Sequence, residues 1–220
     1  SNARFVNFDE ASLNIKAGEN QVSVGRDEGV VITSDGKTHK TQALQSPQLS
    51  APSEGMEVYG SSVDLTWQTY PKAAGYWLEV AGDAGFNRML ATEWGVHETQ
   101  FRVNEMQPGV HFWRVAALDK LGLPGKWSET RQFDLRLDST PPFLTLFAPA
   151  DGSTVERDQV ELLGASEKGV TLHLNGVPVA VSGDGSFLFQ TGLQPGLNSL
   201  VLTAIDAAGN RSEKHTKVIY

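Results

Sequence analysis

Apolar and polar residues alternate through most of this chain. Val63, Leu65 and Trp67 are separated by Asp64 and Thr66, and Tyr76, Leu78 and Val80 by Trp77 and Glu79. His111, Trp113, Val115 and Ala117 fall on one side of a further run, with Phe112, Arg114 and Ala116 on the other. Leu200, Leu202 and Ala204 repeat the pattern near the end. A period of two sends successive side chains to opposite faces of a strand, one face buried and one wet. No stretch keeps a helical period beyond about two turns, short of an ordinary helix. The pattern predicts an all-β fold of antiparallel β-sandwiches.

Turn residues punctuate these runs. Asp35-Gly36 lies between Gly29–Thr33 and Lys37–Thr41, and Asn175-Gly176 between Val170–Leu174 and Val177–Val181. Both dipeptides tolerate positive φ and predict two-residue hairpins. Pro178 makes the strand after the second one an edge strand, because proline cannot donate to a ladder. Asp184-Gly185 marks another turn before Phe187 and Phe189.

One stretch occurs twice. Gln107-Pro108-Gly109, Ala117, Asp119 and Gly122 return as Gln194-Pro195-Gly196, Ala204, Asp206 and Gly209, each 87 positions later. A looser echo links Pro52-Ser-Glu-Gly55 to Pro149-Ala-Asp-Gly152. A period of this length predicts two copies of one small all-β unit. Asp138-Ser-Thr-Pro-Pro142 reads as a stiff spacer between them. The expected division is residues 4–45, 46–138 and 141–220. Residues 46–54 are linker plus edge strand. The first segment has several short strands but too little apolar mass for a core of its own, and is expected to be the end of a larger domain.

Composition narrows the role. The net charge is −8 and no run of Lys and Arg appears, which argues against nucleic acid as a partner. No segment supplies the roughly eighteen apolar residues of a membrane helix, so this stretch is expected not to insert in a membrane. Ser1-Asn2-Ala3 reads as a cloning remnant, and a natural start upstream is expected. Without cysteine there is no disulfide framework and no thiolate metal site.

Candidate chemistry is sparse. The five histidines, at 39, 97, 111, 173 and 215, show no short-range ligand spacing. Asp151, Asp184 and Asp206 each sit in a turn, where an aspartate is expected to bond backbone two residues on rather than to hold calcium, which wants six or more oxygens. Glu54 with Glu57, and Asp134 with Asp138, are carboxylate pairs only by proximity in sequence. No nucleophile elbow or phosphate loop is present. No catalytic residue, metal ligand or cofactor is expected. Among the five tryptophans, Trp67 and Trp113 belong to inward faces. Trp127 is expected to pack over a sheet edge. Trp77 points away from Tyr76, and Trp94 falls in a loop-like stretch. These two are the candidate ligand-binding residues, since an exposed indole can stack on a sugar ring. Trp77 has a second reading as an interface with the N-terminal segment.

Three resemblances extend the reading. Leu65-Thr-Trp67, Gly75-Tyr76-x-Leu78-x-Val80, Pro108-Gly109-x3-Trp113-Arg114-Val115-x-Ala117-x-Asp119 and Trp127-Ser128 resemble a bacterial fibronectin type III-like domain. That family often carries a tyrosine at the strand corner; here the slot holds His111, and its counterpart is Asn198. Pro149-Ala-Asp-Gly152, Asn175-Gly176, Asp184-Gly185-x-Phe187, Gly196-x-Asn198 and Ala204-x-Asp206-x2-Gly209-Asn210 resemble the bacterial Ig-like accessory domain found in glucodextranase, which is not catalytic. Gly18-Glu19 and Asp27-Glu28-Gly29-Val30-Val31 are similar to the end of a FecR-type domain of Gram-negative envelope proteins. Together they imply a non-enzymatic spacer and interaction region in the periplasm or cell envelope of a bacterium. Its partner would be an envelope protein or a cell-wall glycan. Two alternatives remain: a carbohydrate- or peptidoglycan-binding accessory region of a glycan-active enzyme, and a module relaying an envelope signal.

Overall fold

The structure is a computed structural model that describes residues 2–17 and 20–220; the Gly18-Glu19 part of the FecR-like match lies outside the described residues. Every regular element among the described residues is a strand, so none is a helix able to cross a membrane. The backbone divides into two compact units, Ser1–Arg136 and Leu137–Tyr220.

The first unit opens with five strands: β1 Ala3–Asn7, β2 Leu13–Ala17, β3 Asn20–Val24, β4 Glu28–Ile32 and β5 Thr38–Gln42. They form a three-stranded sheet β1-β4-β5 and a β2-β3 ribbon. Ile15, Val24, Val30 and Ile32 make a small core between them. The β4–β5 hairpin forms, but its loop is one residue longer than the two-residue turn expected at Asp35-Gly36. Thr33 N–H donates to Lys37 O, and Gly36 alone in the loop takes positive φ, at 81°. This is a three-residue loop with glycine in the left-handed position.

The sandwich follows. One layer has the order β11-β8-β6, from β6 Leu49–Ala51, β8 Val63–Trp67 and β11 Gln100–Val103. The other runs β10-β9-β12-β14-β7, from β7 Met56–Tyr59, β9 Gly75–Ala81, β10 Met89–Val96, β12 Gly109–Leu118 and β14 Arg131–Arg136, with β13 Pro124–Trp127 paired to β12. The alternation read from the sequence fills the space between them. Leu65 and Trp67 meet Tyr76, Leu78, Val80, Trp113, Val115 and Phe133. Leu44, just before the sandwich, joins the same core. Its carbonyl accepts from Lys126 N–H at 2.9 Å, and a Cβ on Gly125 would lie 2.4 Å from that oxygen, so only glycine permits the approach. Lys126 Nζ to Asp27 at 2.8 Å and Arg4 Nε to Leu121 O at 3.1 Å tie the N-terminal strands to the same hairpin.

The second unit repeats the plan. Its strands are β15 Leu144–Ala148, β16 Ser153–Thr154, β17 Gln159–Ser166, β18 Thr171–Leu174, β19 Val177–Val179, β20 Ser186–Gly192, β21 Leu197–Ile205 and β22 Arg211–Ile219. The layers are β20-β17-β15 and β19-β18-β21-β22-β16. Position by position this is the strand order of the first sandwich. In both, the last strand pairs in parallel with a short early strand, β14 with β7 and β22 with β16. Asn175-Gly176 makes the two-residue hairpin expected of it, with both residues at positive φ, and β19 with Pro178 is an edge strand.

The 87-residue echo is one set of hydrogen bonds made twice. Asp119 O accepts from Gly122 N–H and Asp206 O from Gly209 N–H, at 3.0 and 3.1 Å. The strand corner lacks tyrosine but keeps its bond. His111 Nε2–H donates to Gln107 O at 2.7 Å, and Asn198 Nδ2–H to Gln194 O at 2.7 Å. Trp113 has no exposed surface, so Trp113→Ala is expected to lower the stability of the first unit by about 3–5 kcal/mol in urea denaturation.

Candidate functional site

The outer face of the β10-β9-β12-β14-β7 sheet carries the chain's most concentrated aromatic surface. Register builds it. Trp94 on β10 lies opposite Trp77 on β9, and Trp77 and Trp127 both lie opposite Ala116 on β12. These positions form one row across four strands. Ala116 contributes only a methyl group, so the two indoles close over it with ring centroids 4.5 Å apart. Trp94 stands 5.0 Å from Trp77 on the other side, at 54°. Such tilted contacts suit the ring quadrupoles.

The next row supports the first. Glu79 faces Arg114 across β9 and β12 and accepts from its Nε at 2.8 Å and Nη2 at 2.6 Å. Glu79 is buried, so the guanidinium supplies the charge its carboxylate needs there. That guanidinium lies over two rings, with Cζ 4.2 Å from the Trp127 ring and 3.9 Å from Phe86. Phe86, Arg114, Trp127, Trp77 and Trp94 thus form one continuous stack of planar groups. Trp77 Nε1–H donates to Thr92 Oγ1 at 3.1 Å, which fixes the middle ring. The stack ends in water at Trp94, 55% exposed.

The loop carrying Phe86 is tied by one carboxylate. Asp83 accepts from Arg88 N–H at 2.6 Å, from Asn87 N–H at 3.2 Å and from Gly85 N–H at 3.0 Å. The Arg88 and Asn87 backbone bonds favour the charged form and hold this carboxyl below the ordinary aspartate range.

Structure and sequence reading differ on several residues. Trp94 lies in strand β10, not in a loop, because its pairing with Trp77 continues the ladder. Trp77 packs between Trp94 and Trp127 rather than against the N-terminal strands. Trp127 lies over the outer face as part of the stack. Arg114, Glu79 and Phe86 were not singled out in the sequence. The outward alternation of Arg114 with Ala116 was visible there, but pairing across strands was not.

The other candidate groups have structural partners. Asp184 accepts from Ser186 N–H two residues on, at 3.0 Å, as expected, whereas Asp206 accepts from Asn210 N–H four residues on, at 2.8 Å, still within its own turn. Asp151 departs from that expectation. Its carboxylate accepts from Lys217 N–H on β22, as Glu54 does from Gln132 N–H on β14. Glu57 and Asp134 both pair with Arg136, each at 2.9 Å. Among the described residues, no three His, Asp or Glu side chains converge as metal ligands.

No protein-family model and no curated protein matches this sequence. Among solved structures, the fibronectin(III)-like modules of CbhA from Clostridium thermocellum superpose with a TM-score of 0.58 at 12% identity, over 79% of this chain and 93% of that one. The FN1–FN3 domains of chicken CNTN1 give 0.49 at 14% identity, over 89% and 78%. At these identities the likeness is one of fold. The molecule is an all-β protein of the fibronectin III and immunoglobulin-like sandwich class. Neither of these structures is a FecR-type domain or glucodextranase.

Arg114→Ala leaves Glu79 buried without its partner and removes the group that joins Phe86 to Trp127. It is expected to cost about 1–3 kcal/mol in denaturant unfolding and to shift tryptophan emission to longer wavelength. The Asp83 bonds stabilise the loop above the ordinary aspartate pKa, and that contribution is lost as pH falls through the lowered folded value. The Arg88 amide resonance is therefore expected to titrate with a midpoint below that of an unperturbed aspartate; a midpoint at or above it would contradict the assignment.

Proposed function

We propose that this chain is a non-enzymatic interaction region of an extracytoplasmic bacterial envelope protein, and that its contact surface is the outer face around Trp94. The observation that carries this reading is the stack itself. A large indole is held half in solvent by four planar groups behind it, at an entropic cost already met on folding. A single exposed leucine on a surface needs no explanation; a braced tryptophan invites one.

The partner is a glycan. Trp94 shares its face of β10 with exposed Thr92 two residues back, so an apolar ring face sits beside a hydrogen-bonding group. A pyranose ring has that composition, with C–H groups on its face and hydroxyls at its rim. The net charge of −8 and the absence of a basic stripe weigh against nucleic acid. The envelope assignment is supported by the FecR-type resemblance of residues 4–45. The two sandwiches serve as spacer and platform, and the division at 4–45, 46–138 and 141–220 belongs to this proposal. Phe86, Arg114, Trp127, Trp77 and Trp94 all lie within the middle segment of it.

Titration with soluble peptidoglycan fragments and with α-glucans tests this through intrinsic tryptophan fluorescence. One of them is expected to give a saturable change that Trp94→Ala abolishes. The side chain lies outside the core but packs on Trp77, so the substitution is expected to cost about 0.5–1.5 kcal/mol and leave the sandwich folded. Binding that survives Trp94→Ala, or no response to either glycan class, refutes the site.

A further inference from the structure

Strand edges expose unpaired backbone groups, and folded proteins guard them with charge, proline, bulges or brevity. The sandwich edges here follow that rule with one exception. β6 has three residues between Pro47 and Pro52, β16 has two, and β19 carries Pro178. β7 carries Glu57 and β11 carries Arg102. β10 is bulged near both ends and contains Glu93, and β15 is bulged at Phe147. β20, Ser186-Phe-Leu-Phe-Gln-Thr-Gly192, has no charge, no proline and an unbroken register with β17 over all seven residues. It is the terminal strand of its sheet.

The hydrogen-bond phase shows which of its groups are open. Ser166 N–H donates to Gly185 O at 2.8 Å, so in this register 187, 189 and 191 direct their backbone N–H and C=O toward β17. Residues 186, 188, 190 and 192 direct theirs outward. Ser186 O already accepts from Ser182 N–H at 2.8 Å. Leu188 and Gln190 are left as the central pair of open donors and acceptors. Phe189 between them is half-buried at the rim of the core, with its ring 5.9 Å from Phe187. On the outer face, exposed Leu188 (59%) lies opposite exposed Leu163 (42%), beside exposed Phe147 (63%).

We infer that β20 pairs antiparallel with β20 of a second copy of this chain, about a twofold axis at Phe189. This register places Leu188 opposite Gln190 of the second copy, and Gln190 opposite its Leu188. Only open groups are used, and they make four backbone hydrogen bonds. Phe189 then meets Phe189 of the second copy across the closer, non-hydrogen-bonded pair, which covers the exposed part of both rings. The two three-stranded sheets become one of six, and the Phe147, Leu163 and Leu188 patch continues across the axis. The charge distribution favours a second copy over an unlike partner. The chain carries a net charge of −8, yet between Lys168 and Asp206 the only Asp, Glu, Lys or Arg is Asp184. The strand itself therefore lacks the charge that selects an unlike strand, and the exposed Glu161 carboxylate opposite Gln190 sits one strand back from the axis, on β17.

Pairing of one seven-residue strand buries less than a standard interface, so the dimer is weak, with a dissociation constant in the micromolar range or above. Sedimentation velocity of the full chain from roughly 1 µM to 1 mM reads it. The wild type is expected to pass reversibly from monomer to dimer. Gln190→Pro removes an outward donor without touching the β17 ladder, and proline accepts an extended residue before it. Leu188→Lys places a charge beside the axis. Each is expected to raise the dissociation constant at least tenfold, while circular dichroism and the melting temperature confirm that the sandwich remains folded. A wild type that stays monomeric throughout overturns the inference, as does a dimer indifferent to both substitutions. A wild type that binds an unrelated strand-forming peptide but never itself overturns it equally. The glycan titration at Trp94 is unaffected by any of these outcomes.

Discussion

The first sandwich depends on strand β12 being fully occupied on both faces. Trp113, Val115 and Ala117 fill the space between the layers, and their surface is gone from solvent. On the reverse face of the same ten residues, Arg114 and Ala116 carry the aromatic stack. The two faces are coupled through the backbone alone. Register errors of one residue would exchange them, placing an arginine in the core and a tryptophan in water. The core therefore fixes the site: as long as Trp113 is buried, Arg114 must face Glu79 and Ala116 must lie beneath the two indoles.

Much of this architecture was legible in the chain. Strict alternation at 63–67, 76–80 and 111–117 gave both the strands and their inward faces, because period two has no helical counterpart. Asn175-Gly176 gave its hairpin for the same local reason. Asp35-Gly36 misled by one residue, since the dipeptide also fits the end of a three-residue loop and the choice depends on Thr33 and Lys37 meeting first. Trp94 was the larger miss. Its neighbours, Glu93 and Gly95, carry no strand signal, and pairing with β9 decides its conformation. The stack could not be read at all from one strand, because it joins residues 86, 94, 77, 127 and 114 through cross-strand register.

The two sandwiches show how little chemistry a shared plan requires. His111 and Asn198 are unlike in size and charge, yet each reaches the carbonyl four residues earlier. Glu54 and Asp151 differ by a methylene, yet each accepts from an amide of its final strand. What recurs is a bond at a fixed place in the backbone, and several side chains can make it. That is why the repeat is visible in glycines and turn aspartates while the sequences between them have drifted apart.

The parallel pairing of each unit's final strand with a short early one has a mechanical meaning. Tension drawn along the chain would act on β7 and β14, or on β16 and β22, in opposite directions along their common axis. The hydrogen bonds between them then carry the load together in shear rather than opening in turn. Four residue pairs share it in the first sandwich and two in the second. A tether under pull would meet its weaker clasp in the second unit and its stronger one in the unit that carries the tryptophan stack.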